Sequence, residues 1–319
     1  MQFATRFQIL GTALIAAVVL AGCDNMGLRS SLTPPPRPAS LQVLPPEPVA
    51  PSARSQDLSR YYLQVQNDLL TRDQLRTDGG GPDTPFSADD LARNFENIVF
   101  FDEYSRNGGV TTRGSSGRLS RWSGPVRIGT EFGASVPQAT RKKDTARIGS
   151  YVSRLARLTG HSITTNDRNP NFHVFVVGED DRAFMQDRLT QLVPSISQAE
   201  LDLFENLPRS YYCLVVAVSG SNTPYNYTRA IALIRAEHPD LVRLSCIHEE
   251  IAQGLGLPND SPTARPSIFN DDDEFALLTT HDEKLLTMLY DPRLQQGMTA
   301  QDARPIVRTI AGELTGQPL

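Results

Sequence analysis

The chain reads as an α+β protein, and three observations carry that reading. Two segments repeat apolar residues at helical spacing: Leu91, Phe95, Ile98 and Val99 in the first, Ile148, Val152, Leu155 and Leu158 in the second. Two short runs, Phe172–Val177 and Tyr211–Val218, are instead rich in β-branched and aromatic residues, the composition of interior strands. The last part of the chain returns to helical patterns. Strands interleaved with helices and followed by helices alone give an α+β domain.

The first 22 residues predict a signal peptide. Arg6 precedes an apolar run from Ile9 to Ala21, which is short for a membrane span of about 20 residues and ends in small residues. Leu20-Ala21-Gly22-Cys23 resembles the lipobox of bacterial lipoproteins. That resemblance implies that Cys23 is acylated and becomes the first residue of a membrane-anchored protein facing the periplasm. Asp24 is similar to an inner-membrane retention signal, which leans the expectation to the inner over the outer membrane. Residues 23–57 then form a tether. Eight prolines between Pro34 and Pro51 favour extended polyproline II over a packed core. The globular domain is expected over 58–319.

Within that domain, Ser87 precedes Ala-Asp-Asp as an N-cap before acidic first-turn residues, and so opens a helix. A glycine-rich loop (Gly108, Gly109, Gly114, Gly117) separates it from a strand expected over Leu119 to Phe132. A second helix over Thr140 to Leu158 stops at Gly160. The two apolar strands follow, then the final helices, with no internal repeat. A net charge of −5 excludes the basic excess of a nucleic-acid-binding protein, and Arg141-Lys142-Lys143 reads as solvated surface.

The stretch Cys246-Ile-His-Glu-Glu-Ile-Ala-Gln-Gly-Leu-Gly-Leu-Pro-Asn-Asp260 carries the candidate site. If His248 is taken as a first metal ligand, the position four residues on is Ala252, which binds nothing, and Gln253 lies about 140° around the helix. Shifting the pattern by one residue places Glu249 and Gln253 on one face with Glu250 beside them. Leu244, Ile247 and Ile251 then fall on the roughly opposite face.

In that register the stretch resembles the metzincin metalloproteases, with their H-E-x-x-H-x-x-G-x-x-H helix and turn. Gly256 and the general-base position, Glu250, are retained. Glu249, Gln253 and Asn259 stand at the three histidine positions, and Asp260 follows. Ser267-Ile268-Phe269 is similar to the Met-turn with Phe for Met, and Leu278 to Tyr290 to the C-terminal helix of matrixin-like members. The resemblance covers roughly Leu119 to Tyr290. It implies a zincin-like domain, a mixed sheet packed on a long helix and the motif helix, with a C-terminal helical part. Together with the leader and linker, it is similar to a proteobacterial family of lipoproteins whose function is not established. An ordinary buried helix with a glycine cap is the alternative.

Zinc hydrolysis needs nitrogen or sulfur donors, whereas Glu249, Gln253 and Asn259 offer oxygen, which suits calcium or magnesium better. No metal site and no zinc are therefore expected. His248 borders the expected cleft and is read as a group titrating near pH 6.5. His161, His173, His238 and His281 read as structural or exposed. Asn270-Asp-Asp-Asp-Glu274 lacks the spacing of a calcium loop and reads as a solvated loop. Ser219-Gly-Ser221 lacks a nucleophile elbow, and Gly254-Leu-Gly256 lacks a dinucleotide fingerprint.

With Cys23 acylated in an oxidising compartment, Cys213 and Cys246 are expected to form a disulfide pinning the motif helix to the sheet. The expected function is noncatalytic binding or scaffolding, in which the cleft grips a peptide, an envelope protein or a cell-wall component. The alternatives are a hydrolase with an unusual ligand set and Glu250 as base, and a purely structural lipoprotein.

Overall fold

A computed structural model describes residues 50–105, 109–198, 201–202, 206–270 and 272–317. The segment expected to be a leader, Cys23, Asp24 and most of the proline-rich segment lie outside the described residues. The chain enters α1 (Ala53–Thr71), α2 (Ala88–Val99), the hairpin β1–β2 (Phe101–Ser105 and Gly109–Ser116) and β3 (Val126–Phe132). Then come α3 (Gln138–Thr159), β4 (Ile163–Thr165), β5 (Phe172–Val177), α4 (Arg182–Leu192), β6 (Cys213–Gly220) and β7 (Thr223–Arg235). It closes with α5 (Asp240–Gly256), α6 (Thr280–Leu289) and α7 (Ala300–Thr315).

The main sheet has the order β4-β3-β5-β7-β6. Four strands run parallel, and β6 is antiparallel to β7 at one edge. All six residues of β5 are buried, as a central strand covered on both faces requires. Phe172, Val174 and Val176 join the larger core with α2, α3, α5, α6 and α7, while Phe175 and Val177 join a smaller core with Met185 and Leu189 of α4. Each fully buried Phe or Val contributes about 1.5–3 kcal/mol.

Local chemistry explains the expected helices. Ser87 caps α2 through a reciprocal box with Asp90, and Leu91, Phe95, Ile98 and Val99 are all buried. Gly160, at φ 64°, ends α3 in a left-handed cap. Several elements differ from the sequence expectation. The strand begins at Val126, not Leu119, because Leu119 and Trp122 are buried from an irregular segment. The glycine-rich region carries β2 instead of a loop. Helix α1 starts at Ala53, inside the stretch assigned to the tether, where Ser52 caps it and Ser55 Oγ donates to Glu237 Oε1 at 2.9 Å. Finally, α4 and β7 form where no element was expected: two buried apolar positions, Met185 and Leu189, suffice to seat α4, and the first half of β7 is polar and aromatic.

Candidate functional site beside the edge strand

Helix α5 is seated by its own first turn. Asp240 accepts hydrogen bonds from Arg147, Lys143 and Arg243, and Arg147 first, then Lys143, hold its carboxyl well below the usual range. Arg243 Nε reaches the fully buried Asp144 at 2.7 Å, so α3 and α5 share an ion pair out of water. Ile247, Ile251 and Leu255 face the core with no exposure. Cys246 is bonded to Cys213, with Cα atoms 5.9 Å apart, so the helix is fastened to β6 as expected.

Two glycines allow the close fit. A Cβ on Gly254 would stand 2.4 Å from Phe172 Cζ and 3.1 Å from Val215, and Trp122 Nε1 donates to the Gly254 carbonyl at 2.9 Å. Gly256 has φ +130°, and a Cβ there would lie 2.7 Å from the Ser120 carbonyl oxygen. Only glycine takes that conformation without strain, and there the helix stops.

Past this break the chain returns to the helix, through a different residue from the one expected. Gln253 Nε2 donates to Asp260 Oδ1 at 3.1 Å. Asn259 turns its amide nitrogen to the carbonyls of Asn97 and Asp260, so Asp260, not Asn259, meets Gln253. Beneath, the fully buried Asp282 accepts from Ser267 Oγ at 2.6 Å, Ile268 N at 3.0 Å, Thr279 N at 2.9 Å and Thr279 Oγ1 at 2.8 Å. Those four donors fix the Ser267–Phe269 turn, whose Phe269 carbonyl accepts from Ser261 N at 2.8 Å.

Glu249 is half-buried and Glu250 buried, and their carboxylate oxygens cluster with Cys213 Sγ within 4.8 Å of one another. That sulfur is committed to the disulfide, which leaves two carboxylates and the amide of Gln253 on this side of the helix. Neither an imidazole nor a free thiolate, the donors of most zinc sites, is among them.

His248 departs from its expected role. Its Nδ1 accepts from Leu278 N at 3.2 Å, and its ring stacks on Tyr151 at 4.0 Å and 3°. Burial, with Arg154 and Arg147 nearby, pushes its pKa down to about 3, so it is neutral at pH 6.5. It faces α3, not the edge strand. The other histidines are structural: His161 and His238 bond the carbonyls of Gly124 and Tyr212, His173 pairs with Glu131, and His281 meets Asn94. In the acidic loop, whose Asp271 lies outside the described residues, Glu274 is held by Arg265 and Arg76.

The feature that the motif did not announce is β6 itself. Among the described residues it pairs on one side only, with β7. Its sequence, Cys-Leu-Val-Val-Ala-Val-Ser-Gly, holds no charge and no proline, and Val216 and Val218 are exposed. Natural edge strands carry such residues to prevent strand addition, so their lack was the available signal. The opposite edge, β4, is three residues long.

Residues 88–309 match the model of a family described as a protein of unknown function, DUF2927. No curated protein and no solved structure matches the chain.

Proposed function

The chain belongs to the DUF2927 family, and we propose that it is an exported, membrane-tethered binding protein that takes an extended segment of an envelope polypeptide onto the free edge of β6. The observation that carries this reading is that edge: eight uncharged residues that, among the described residues, pair with a strand on one side only. Backbone hydrogen bonds supply affinity in such additions, while side-chain pockets supply selectivity. Glu249, half-buried on the neighbouring helix, gives this edge an acidic flank, with Glu250 and Gln253 buried behind it. Cys213 sits at the start of β6 and is bonded to that helix, so strand and flank are held in register.

A zincin-like cleft rebuilt for binding accounts for the same parts. The helix breaking at Gly256 and the Ser267–Phe269 turn beneath support this reading, although the resemblance places Asn259, and not Asp260, beside Gln253. The donor set argues against hydrolysis through zinc, so Glu250 is read as backing that flank and not as a base. Anchoring rests on the lipobox: radiolabelled fatty acid is expected to enter the protein and to be lost on Cys23→Ser.

The binding reading is tested with a photo-crosslinking amino acid placed at Val216 or Val218 in intact cells. A discrete adduct to an envelope polypeptide is expected, and Val216→Lys with the probe at 218 is expected to abolish it. No adduct from either position, or an equally strong adduct from the exposed Leu63 of α1, overturns the proposal.

A further inference from the structure

A second groove runs between α3 and α5, on the side of the motif helix that His248 faces. It is lined by Arg147, Ser150, Tyr151, Arg154, Leu244 and His248. Its floor is rigid: the Tyr151 and His248 rings are parallel at 4.0 Å, and Tyr151 Oη donates to the His248 carbonyl at 2.8 Å. Because His248 Nδ1 accepts the Leu278 N–H, the neutral ring carries its proton on Nε2. That N–H belongs to a side chain 8% exposed, has no hydrogen-bond partner among the described residues, and is not sealed from solvent. It is a pre-oriented donor opening onto the groove.

The walls add donors and no acceptor of comparable strength. Arg154 gives Nε and Nη2 to Glu283 and the Leu278 carbonyl, which leaves Nη1 without a partner among the described residues. Ser150 presents an exposed hydroxyl one helical turn away. Arg147 is held by Asp240, and Arg154 by Glu283, so both cations are fixed in place at the rim. Seven residues apart on α3, they stand about 10 Å from each other along the axis. Helix α3 carries Arg141, Lys142, Lys143, Arg147, Arg154 and Arg157 against one acid, Asp144, in a chain whose net charge is −5. Arg154 and Arg147 both disfavour the charged form of His248.

We infer that this groove binds a phosphate group, through His248 Nε2–H, Ser150 Oγ and Arg154 Nη1. The three donors come from two helices and from different directions, which suits a tetrahedral oxyanion better than a planar carboxylate. A free phosphate and a phospholipid headgroup share this chemistry. The site is independent of strand addition at β6, on the other side of α5, and either reading stands if the other fails.

The test is nitrogen NMR of the full chain with labelled histidine, which gives five ring systems. Inorganic phosphate is titrated at constant ionic strength, with chloride as control and glycerophosphoglycerol as a soluble headgroup. The His248 Nε2–H signal is expected to shift saturably with phosphate and not with chloride. Saturation by glycerophosphoglycerol alone also supports the site and identifies a lipid source. Arg154→Gln is expected to weaken binding about tenfold, the loss of one charged hydrogen bond, and Arg154→Lys to recover part of it. Should Arg154→Gln unfold, Ser150→Ala at its exposed position serves instead, with an expected loss of about fivefold. A His248 signal that neither phosphate compound moves, or that chloride moves equally, overturns the inference.

Discussion

Removing the disulfide by Cys213→Ala with Cys246→Ala tests whether the edge strand and the motif helix are held as one unit. The bridge joins residues 33 apart in sequence, and constraining a loop of that length stabilises the fold by about 3.8 kcal/mol in the chain-entropy model. The rest of α5 opposes its release, since Ile247, Ile251 and Leu255 are fully buried and Arg243 is paired with Asp144. The variant is therefore expected to fold, with lower stability. Equilibrium urea unfolding reads the difference. For a slope of about 3 kcal/mol/M the midpoint should fall by about 1.3 M, with the slope unchanged. In the wild type, dithiothreitol should reproduce the shift, and the double alanine variant should not respond to it. A midpoint change below about 0.3 M, or two titratable thiols in the non-reduced wild-type protein after unfolding, would refute the reasoning.

Three further outcomes are expected. Gly256→Ala, which imposes a side chain at φ +130° and against the Ser120 carbonyl, should cost about 1–3 kcal/mol from backbone strain alone, measured by the same unfolding assay. Asp282→Ala should cost about 3–5 kcal/mol, because Ser267, Ile268 and Thr279 lose the buried carboxylate that accepts their donors; a loss under 1 kcal/mol would show that the turn holds without it. The third concerns pH. His248 and His238 are both pushed down to about 3, chiefly by burial, so below the unfolded value near 6.5 the unfolded chain takes up protons that the folded one refuses. Their contribution is complete above pH 6.5 and falls between pH 6.5 and 3, by about 2 kcal/mol for each histidine on going to pH 5. Histidine proton resonances checked from pH 5 to 8 should show neither ring titrating, and a midpoint near 6.5 for His248 would contradict its burial.

Where local chemistry decides an element, the sequence shows it. Ser87 with Asp90 starts α2 and Gly160 ends α3, because caps act through neighbours a few residues away. The apolar runs become β5 and β6, and the pairing of Cys213 with Cys246 follows once the chain is placed in an oxidising compartment. What the sequence hides is tertiary. Trp122 looks like a strand residue, yet it is buried because its indole caps the Gly254 carbonyl across the core. Asn259 fits a ligand spacing, but the backbone after Gly256 directs Asp260 to Gln253 instead. That β6 rather than β7 lies at the edge depends on strand order, which neither segment records on its own.

The same limit applies inside the motif. Successive residues of a helix point about 100° apart, so His248 and Glu249, adjacent in sequence, need not serve one site. Here they separate. His248 is stacked on Tyr151 of α3, while the oxygens of Glu249 and Glu250 lie by Cys213 on the edge strand. The disulfide at Cys246 and the buried Arg243–Asp144 pair, less than one turn apart on α5 and bonded to different elements, fix the rotation of the helix, and with it this division. Substitutions at His248 therefore test the α3 groove, and those at Glu249 test the proposed edge-strand site. A residue such as Ile251, buried between them, affects both only through the fold.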